Sequence, residues 1–246
     1  IDNENEILYT CGYIEEGGGF LTRNSLPDGY WSTSFGMGGL LFFRPEENFS
    51  GTFNTLVFDP ADNAITVMGN YPLPAGDEDI FAYRVSAENG DPDPSFGYHG
   101  ISSLRSAGSD EYIKSAILQS DGKYYFGGYS DYNGTNDIFI GRINHNGLGD
   151  TTFGTSGLVL TGLGSNDLVF DIQLSEDENI LYAAGFSGES DNSAITIAAY
   201  HTTSNSEPPI GLEINTSDVL CFYPNPTTGQ VCVNTSLKGL KKVQVV

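Results

Sequence analysis

The feature that most constrains this chain is an internal repeat with a period of 57 to 61 residues. A Phe-Gly pair recurs in phase at Phe35-Gly36, Phe96-Gly97 and Phe153-Gly154, and another glycine follows three residues after each. Two further markers keep this period: a glycine in an aromatic segment (Gly12, Gly69, Gly128, Gly185) and an arginine (Arg23, Arg84, Arg142). Because three independent markers share one period, the sequence predicts an array of similar units.

Each unit has the pattern of about four antiparallel strands. In the cleanest copy, residues 113–157, alternating apolar segments are separated by the turn signals Ser-Asp-Gly and His-Asn-Gly. Asp121-Gly122 predicts a two-residue hairpin turn, in which both central residues need positive φ. The chain has 31 glycines and 29 residues of Phe or Tyr among 246, which favours short strands and tight turns. A four-stranded unit of this length is typical of a propeller blade.

The sequence therefore predicts an all-β fold, a partial β-propeller-like array of four-stranded antiparallel blades over residues 1–203. About three and a half blades are expected, the first without its opening strand. Two alternatives stay open: further copies upstream of Ile1, or an open arc of sheets. The chain begins without Met or a signal-peptide core, and we expect its native N-terminus to lie upstream.

The repeated residues have predicted structural roles. The strand glycine is expected to let crowded neighbouring backbones approach near the axis. The Phe-Gly motif is expected to lead the chain into the outer strand or the next sheet, with the phenylalanines at equivalent buried positions between neighbouring units. Each arginine is expected to reach a carbonyl or an acid of the neighbouring unit, because a buried guanidinium must be paired.

Residues 6–202 resemble the delta-60 repeat family, whose units carry an Asp-x-x-Phe-Gly-x-x-Gly motif, an Asp-Gly turn and an arginine-containing strand. The resemblance implies a propeller-like fold. The sequence departs from the family pattern at 59–64 (DPADNA) and 175–180 (SEDENI), where a longer acidic turn replaces the Asp-Gly hairpin. Those two loops are expected to differ in shape from the family's.

The charge balance excludes one class of partner. Ten basic residues against 32 acidic ones give a net charge of −22, whereas nucleic-acid phosphates require a basic footprint. No apolar run reaches the ~18 residues that span a bilayer. The charge is −23 before Ile210 and +1 after it, since the last part holds two acids and three lysines. This shift predicts a boundary, with a linker at 204–216 that is rich in Pro, Ser, Asn and Thr.

Residues 217–246 are expected to form a short β-sandwich-like segment. The stretch FYPNPTTGQV (222–231) resembles the start of a type IX secretion C-terminal sorting domain. The residues that carry the resemblance are Tyr223, Pro224, Asn225, Pro226, Thr227 and Gly229. It implies recognition by the type IX secretion machinery of a Bacteroidota-type bacterium and a secreted or outer-surface location. Only the opening part of such a domain is present, since the chain stops at Val246.

Cys221 and Cys232 flank this turn symmetrically. Opposed strand positions lie within disulfide range, and an exported protein can be oxidised. A disulfide between them and two buried thiols are equally compatible with the sequence. The three cysteines fit no zinc pattern.

No catalytic motif for a serine hydrolase, a zinc protease or a nucleotide-binding loop is present. His99, His145 and His201 lie at unequal repeat phases and are expected to be surface turn residues. The carboxylate pairs Asp77/Asp79, Asp91/Asp93 and Glu176/Asp177 are expected to be solvated surface. Residues 131–137 (DYNGTND) space oxygen atoms as calcium loops do, but Arg142 stands where a bidentate glutamate is required. No cofactor is expected, with a weak surface calcium site as the alternative.

These observations favour a non-enzymatic binding or adhesion module, secreted or at the cell surface, with an unidentified surface protein or glycan as partner. Two alternatives remain: a secreted carbohydrate-active or other hydrolase with the propeller as scaffold, and a structural component of a surface filament.

Overall fold

The computed structural model describes residues 1–14, 18–43, 51–72, 78–104, 109–132, 134–163, 166–188, 194–202 and 210–213. These residues form fifteen strands in four antiparallel sheets, and none of them is helical. The fold is all-β, as the repeat predicts. The sorting-motif residues and both tail cysteines lie outside this described part, as does the segment predicted to be sandwich-like.

The sheets follow one another along the chain, and within each sheet the strands lie in sequence order. The first sheet has three strands, β1 (Ile7–Ile14), β2 (Gly18–Ser25) and β3 (Leu40–Phe43). The second has β4 (Thr52–Asp59), β5 (Ala64–Pro72), β6 (Glu78–Ser86) and β7 (Ile101–Leu104). The third has β8 (Asp110–Leu118), β9 (Tyr124–Tyr132), β10 (Thr135–Ile143) and β11 (Leu158–Thr161). The fourth has β12 (Asp167–Leu174), β13 (Ile180–Ser187), β14 (Ala194–His201) and β15 (Ile210–Glu213).

We call these sheets units 1 to 4. Among the described residues, unit 1 has no counterpart of β4. Unit 4 is complete, because β15 pairs with β14 from Thr196↔Glu213 to Ala199↔Ile210. Strand β15 lies within residues 204–216, the segment predicted to be a linker, so the last sheet extends further than the repeat markers indicated.

The core consists of three hydrophobic clusters, each between two adjacent units. Strand β6 shows how one sheet serves two clusters, because successive side chains point to opposite faces. Phe81, Tyr83 and Val85 pack towards unit 1, whereas Ile80 and Ala82 pack towards unit 3. Phe35, Phe96 and Phe153 are 0%, 0% and 2% exposed, and each belongs to a different cluster. The phenylalanines fill equivalent gaps between neighbouring units, as predicted.

The strand glycine has a more specific cause than crowding near an axis. In each complete unit the first strand carries a β-bulge, with one extra residue at Asn54, Lys114 or Phe170. The bulge pushes a carbonyl oxygen of the first strand towards the glycine of the second. A Cβ added at Gly69, Gly128 or Gly185 would lie 1.6, 1.9 or 1.7 Å from that oxygen. The approaching backbone belongs to the same sheet and not to a neighbouring unit.

The loop between the first and second strands also differs from the predicted turn. Gln119 donates its N–H to the Lys123 carbonyl, and Gly122 donates to the Gln119 carbonyl, which leaves a three-residue loop. Gly122 has a positive φ of 86°, whereas Asp121 is not among the residues with positive φ. The two-residue turn was therefore the wrong prediction: a type I turn followed by a left-handed residue closes this hairpin. The longer acidic loops of units 2 and 4 place Asn63 and Glu178 in the left-handed conformation instead.

Candidate functional site

Each four-stranded sheet has one end at which its first strand connects to its second and its third strand connects to its fourth. At this end, adjacent units contact each other at a position that repeats from unit to unit. We call this end the loop end. The repeated position is occupied by Ala87, His145 and Thr202, which are 58 and 57 residues apart. Tyr9 of unit 1 donates its hydroxyl to the Ala87 carbonyl at 3.1 Å, and Arg142 of unit 3 donates to the Thr202 carbonyl. Ala87 and Thr202 take part through their backbone carbonyls, whereas His145 takes part through its side chain.

Arg84 lies at the centre of this second junction and is 1% exposed. Its Nη1 atom is 2.7 Å from Asp93 Oδ2, and its Nη2 atom is 2.9 Å from Asp59 Oδ2 and 2.7 Å from Asp62 Oδ2. His145 reaches the same group from unit 3, with Nε2 2.7 Å from Asp62 Oδ2 and 3.4 Å from Arg84 Nη2. We call Arg84, Asp59, Asp62, Asp93 and His145 the Arg84 cluster.

Local structure positions each member of the Arg84 cluster. Asp59 ends strand β4, and its Oδ1 accepts the N–H groups of Ala61 and Asp62, which fixes the acidic loop. Asp93 is the aspartate of the repeated Asp-x-x-Phe-Gly motif, and its N–H donates to the Arg84 carbonyl at 2.9 Å. His145 follows strand β10 in the connection to β11.

The cluster keeps a surplus of negative charge. Hydrogen bonding from Arg84 holds the pKa of Asp62 below its usual value, and burial and His145 contribute in opposite senses. Burial opposes the ionisation of Asp93, yet hydrogen bonds from Ser95 and the charge of Arg84 lower the pKa of that carboxyl as well. Three carboxylates against one guanidinium leave a formal charge of −2 while His145 is neutral.

The third junction repeats this plan with one acid. Arg142 Nε lies 2.9 Å from Asp150 Oδ2, and Asp150 stands 57 residues after Asp93. Arg142 also donates to Tyr125 and Thr152, and its guanidinium carbon lies 4.7 Å from the centre of the Phe153 ring. The predicted contact with a neighbouring unit holds for Arg142. It does not hold in that form for Arg84, whose acids belong to its own unit and whose partner in the next unit is a histidine.

Arg23 lies beside Tyr9, its neighbour across β1 and β2. Burial raises the pKa of Tyr9, and Arg23 partly offsets this effect. The Tyr9 hydroxyl makes the contact with unit 2, because it donates to the Ala87 carbonyl. In unit 1, Ser32 occupies the position of the motif aspartate of units 2 and 3. Its N–H donates to the Arg23 carbonyl, as the N–H of the motif aspartate does to the corresponding arginine in the other two units.

Two of the aspartates in the predicted acidic pairs, Asp93 and Asp177, have lowered pKa values. Asp93 is bound to Arg84, and hydrogen bonds from Ser175 and Asn179 lower the pKa of Asp177 to about 2. A glycosidase acid instead needs a raised pKa. Burial and Asp110 raise the pKa of Glu78, and burial and Asp167 raise that of Asp137, but Asp167 is completely buried. Asp77 lies outside the described residues.

The segment 131–137 is a hairpin between β9 and β10. Asp131 pairs with Asn136, whereas Asp137 pairs with Ser130. Since successive side chains alternate between faces, Asp131 and Asp137 point to opposite sides of the sheet. The oxygen atoms of the two aspartates therefore do not converge as the sequence spacing suggested.

None of the described segments forms a helix that is long and apolar enough to cross a membrane.

A second surface feature lies at the loop end. Among the described residues of the third–fourth strand connections, five large apolar side chains are more than half exposed: Tyr30, Trp31, Met37, Tyr98 and Leu148. We call them the aromatic rim. The connections that carry them touch across unit boundaries, because Gly36 donates to the Asn89 carbonyl at 2.8 Å and Gly97 to the Asn146 carbonyl at 2.7 Å. The rim therefore extends over three units.

The sequence did not single out Asp59, Asp62 or His145 as one group, nor the aromatic rim. The available signal was the acidic loop 59–64, which departs from the Asp-Gly pattern of the repeat. His145 carried no signal of its own, because units 2 and 4 have Ala87 and Thr202 at the same position.

One family model agrees with this architecture over a short part of the chain. Residues 119–153 match the family model described as a domain of unknown function (DUF5122) beta-propeller. None of the curated proteins compared with the chain matches it. Among solved structures, an endo-arabinase from Bacteroides thetaiotaomicron VPI-5482 is similar with a TM-score of 0.32 and 16% identity, over 84% of this chain and 74% of that one. The chain is a β-propeller-like repeat protein.

Proposed function

We propose that the chain is a non-enzymatic binding module that is displayed at the cell surface or secreted, and that its partner is a surface glycan or protein. The aromatic rim is the observation that supports this proposal. Single exposed apolar side chains are common on proteins, but a row of them along one end of an array marks an interaction site. Tyrosine and tryptophan offer large, rigid contact areas at low entropic cost.

The binding proposal predicts a large effect of two rim tyrosines. Purified protein is applied to a panel of immobilised polysaccharides and to outer-membrane fractions. The double variant Tyr30→Ala/Tyr98→Ala is expected to bind at least about tenfold more weakly, which corresponds to about 1.4 kcal/mol. Tyr13→Ala is the matched control, because Tyr13 is 61% exposed but lies near the opposite end of strand β1.

Equal binding by the double variant and the Tyr13→Ala control would contradict this role of the rim. Release of reducing sugar from any bound polysaccharide would favour the hydrolase alternative. Glu78 beside Asp110 is one carboxyl pair that fits that alternative, since burial and the charge of Asp110 raise the pKa of Glu78. Concentration-dependent growth of long assemblies in sedimentation would favour the filament alternative.

We further propose that residues 217–246 direct export by type IX secretion. The support is the sequence resemblance around Tyr223 to Gly229. Deletion of 217–246, with any native continuation, is expected to leave a folded array that is retained inside the cell envelope. Fractionation of the native host tests this: undiminished truncated protein in the medium or on the surface would refute the assignment. A point variant, Asn225→Ala, that is exported normally would serve as evidence that the motif itself is dispensable.

A further inference from the structure

The Arg84 cluster brings together three atoms that bind metal ions in proteins. Asp59 Oδ2, Asp62 Oδ2 and His145 Nε2 all lie within 4.8 Å of one another. The nitrogen of His145 is 2.7 Å from the Asp62 oxygen and 3.8 Å from the Asp59 oxygen. Ligand atoms around a tetrahedral zinc ion are about 3.3 Å apart, given metal–ligand bonds of about 2.0 to 2.1 Å. The observed separations bracket that value.

Arg84 Nη2 contacts all three ligand atoms, at 2.9, 2.7 and 3.4 Å. The guanidinium is therefore an internal cation that fills the inner side of the group. The outer side is open, since the side chains of Asp62 and His145 are 42% and 47% exposed. With a formal charge of −2, the group attracts a further positive charge from solvent.

Two buried hydroxyl groups provide Arg84 with alternative acceptors. Thr66 is the cross-strand neighbour of Arg84. Burial raises the pKa of Tyr124, and side-chain hydrogen bonds with Thr66 and Arg84 partly offset this rise, so the Tyr124 hydroxyl lies within hydrogen-bonding reach of both. Thr66 and Tyr124 are fully buried. A guanidinium withdrawn from Asp59 and Asp62 would therefore remain bonded to the Tyr124 hydroxyl while Asp93 still holds its Nη1.

We propose that Asp59, Asp62 and His145 bind a divalent transition-metal ion such as Zn²⁺, which displaces Arg84 Nη2 towards Thr66 and Tyr124 and joins unit 2 to unit 3. Imidazole with carboxylates suits zinc, whereas calcium prefers oxygen ligands alone. Because Asp59 and Asp62 lie in unit 2 and His145 lies in unit 3, the ion would stabilise the junction between the two units.

The test is calorimetric titration of metal-free full-length chain with ZnCl₂. The titration uses a Cys221→Ser/Cys232→Ser background, because thiolates also bind zinc. Cys11 is retained, since burial raises the pKa of its thiol to about 11. One ion per chain is expected, and His145→Ala is expected to weaken its binding at least about tenfold. Zinc should raise the melting temperature of the parent and not that of His145→Ala.

The matched control is His99→Asn, which removes another exposed loop-end imidazole. Asparagine tolerates the positive φ of 53° at that position. This variant is expected to bind zinc as the parent does. Unchanged zinc affinity in His145→Ala would overturn the proposal. So would an equal melting-temperature increase with Ca²⁺ that survives His145→Ala, which would indicate scattered carboxylate binding.

Discussion

Replacing Gly69 by alanine is expected to destabilise the chain by about 3 kcal/mol or more. The new Cβ would lie 1.6 Å from the Thr52 carbonyl oxygen, far inside van der Waals contact, and 3.0 Å from Phe53 Cα. Since the obstacle is backbone held in a β-bulge, a rotamer change cannot relieve the overlap. Urea denaturation should show a lower transition midpoint, and the same result is expected for Gly128→Ala and Gly185→Ala.

Unit 1 offers the matched control. Gly12 occupies the same repeat position, but unit 1 has no described strand in the place of β4. A Cβ at Gly12 would meet the Phe20 ring at 3.0 Å, which a small ring movement relieves. Gly12→Ala is therefore expected to cost about 1 kcal/mol or less, partly offset by the lower entropy of the unfolded chain. If Gly12→Ala and Gly69→Ala were equally destabilising, the bulge would not be the reason for the repeated glycine.

Replacing Arg84 by methionine is expected to cost about 3 to 5 kcal/mol of unfolding free energy near neutral pH. Methionine retains much of the side-chain length but leaves Asp59, which is almost fully buried, without its guanidinium partner. Asp62→Asn is the matched control, because it removes a partner of Arg84 that is 42% exposed and should cost about 1 kcal/mol or less. Equal losses in the two variants would show that the burial of Arg84 does not set its contribution.

The effect of Arg84→Met should also depend on pH. In the parent, the pKa values of Asp62 and Asp93 are lowered, so their pairing stabilises the fold above the ordinary value of 3.8 and is lost as the pH falls through the lowered values. In the variant, the same carboxylates lack their positive partner, and protonation relieves their repulsion. The stability difference between parent and variant should therefore shrink between about pH 4 and pH 2. Urea titrations at both pH values measure it, and a constant difference would contradict the electrostatic cause.

The periodic markers predicted the features that the units have in common. The features in which the units differ became visible only in the structure. Phe96 was predictable as a buried residue because its spacing repeats at Phe35 and Phe153. The β-bulge beside Gly69 was not predictable. The repeated glycine indicates that a side chain is not tolerated at this position, but it does not show which part of the backbone lies against it. Strand β15 carries none of the markers, since the repeat residues lie in the other strands and in the connections between them.

The contact between Asp62 and His145 could not be predicted from the sequence, for a different reason. The two residues are 83 positions apart, and His145 does not recur at the repeat period. Their proximity follows from the packing of two successive sheets, which brings the connection after β10 onto the hairpin loop after β4. The unusual length of loop 59–64 marked the region but not its partner.

The repeated contact at Ala87, His145 and Thr202 has a consequence for how such a gene can change. Units 2 and 3 carry both halves of the contact: an arginine-bearing strand that reaches the next unit, and the position that the preceding unit reaches. Ala87 and Thr202 are contacted through their backbone carbonyls, which every amino acid possesses. A duplication of one unit therefore delivers a compatible junction on either side without further substitutions, and copies can be gained or lost in steps of about 60 codons. The junction between units 2 and 3 differs, because its contact uses the His145 side chain and not a backbone carbonyl. A unit that lacks this histidine would therefore not reproduce the contact.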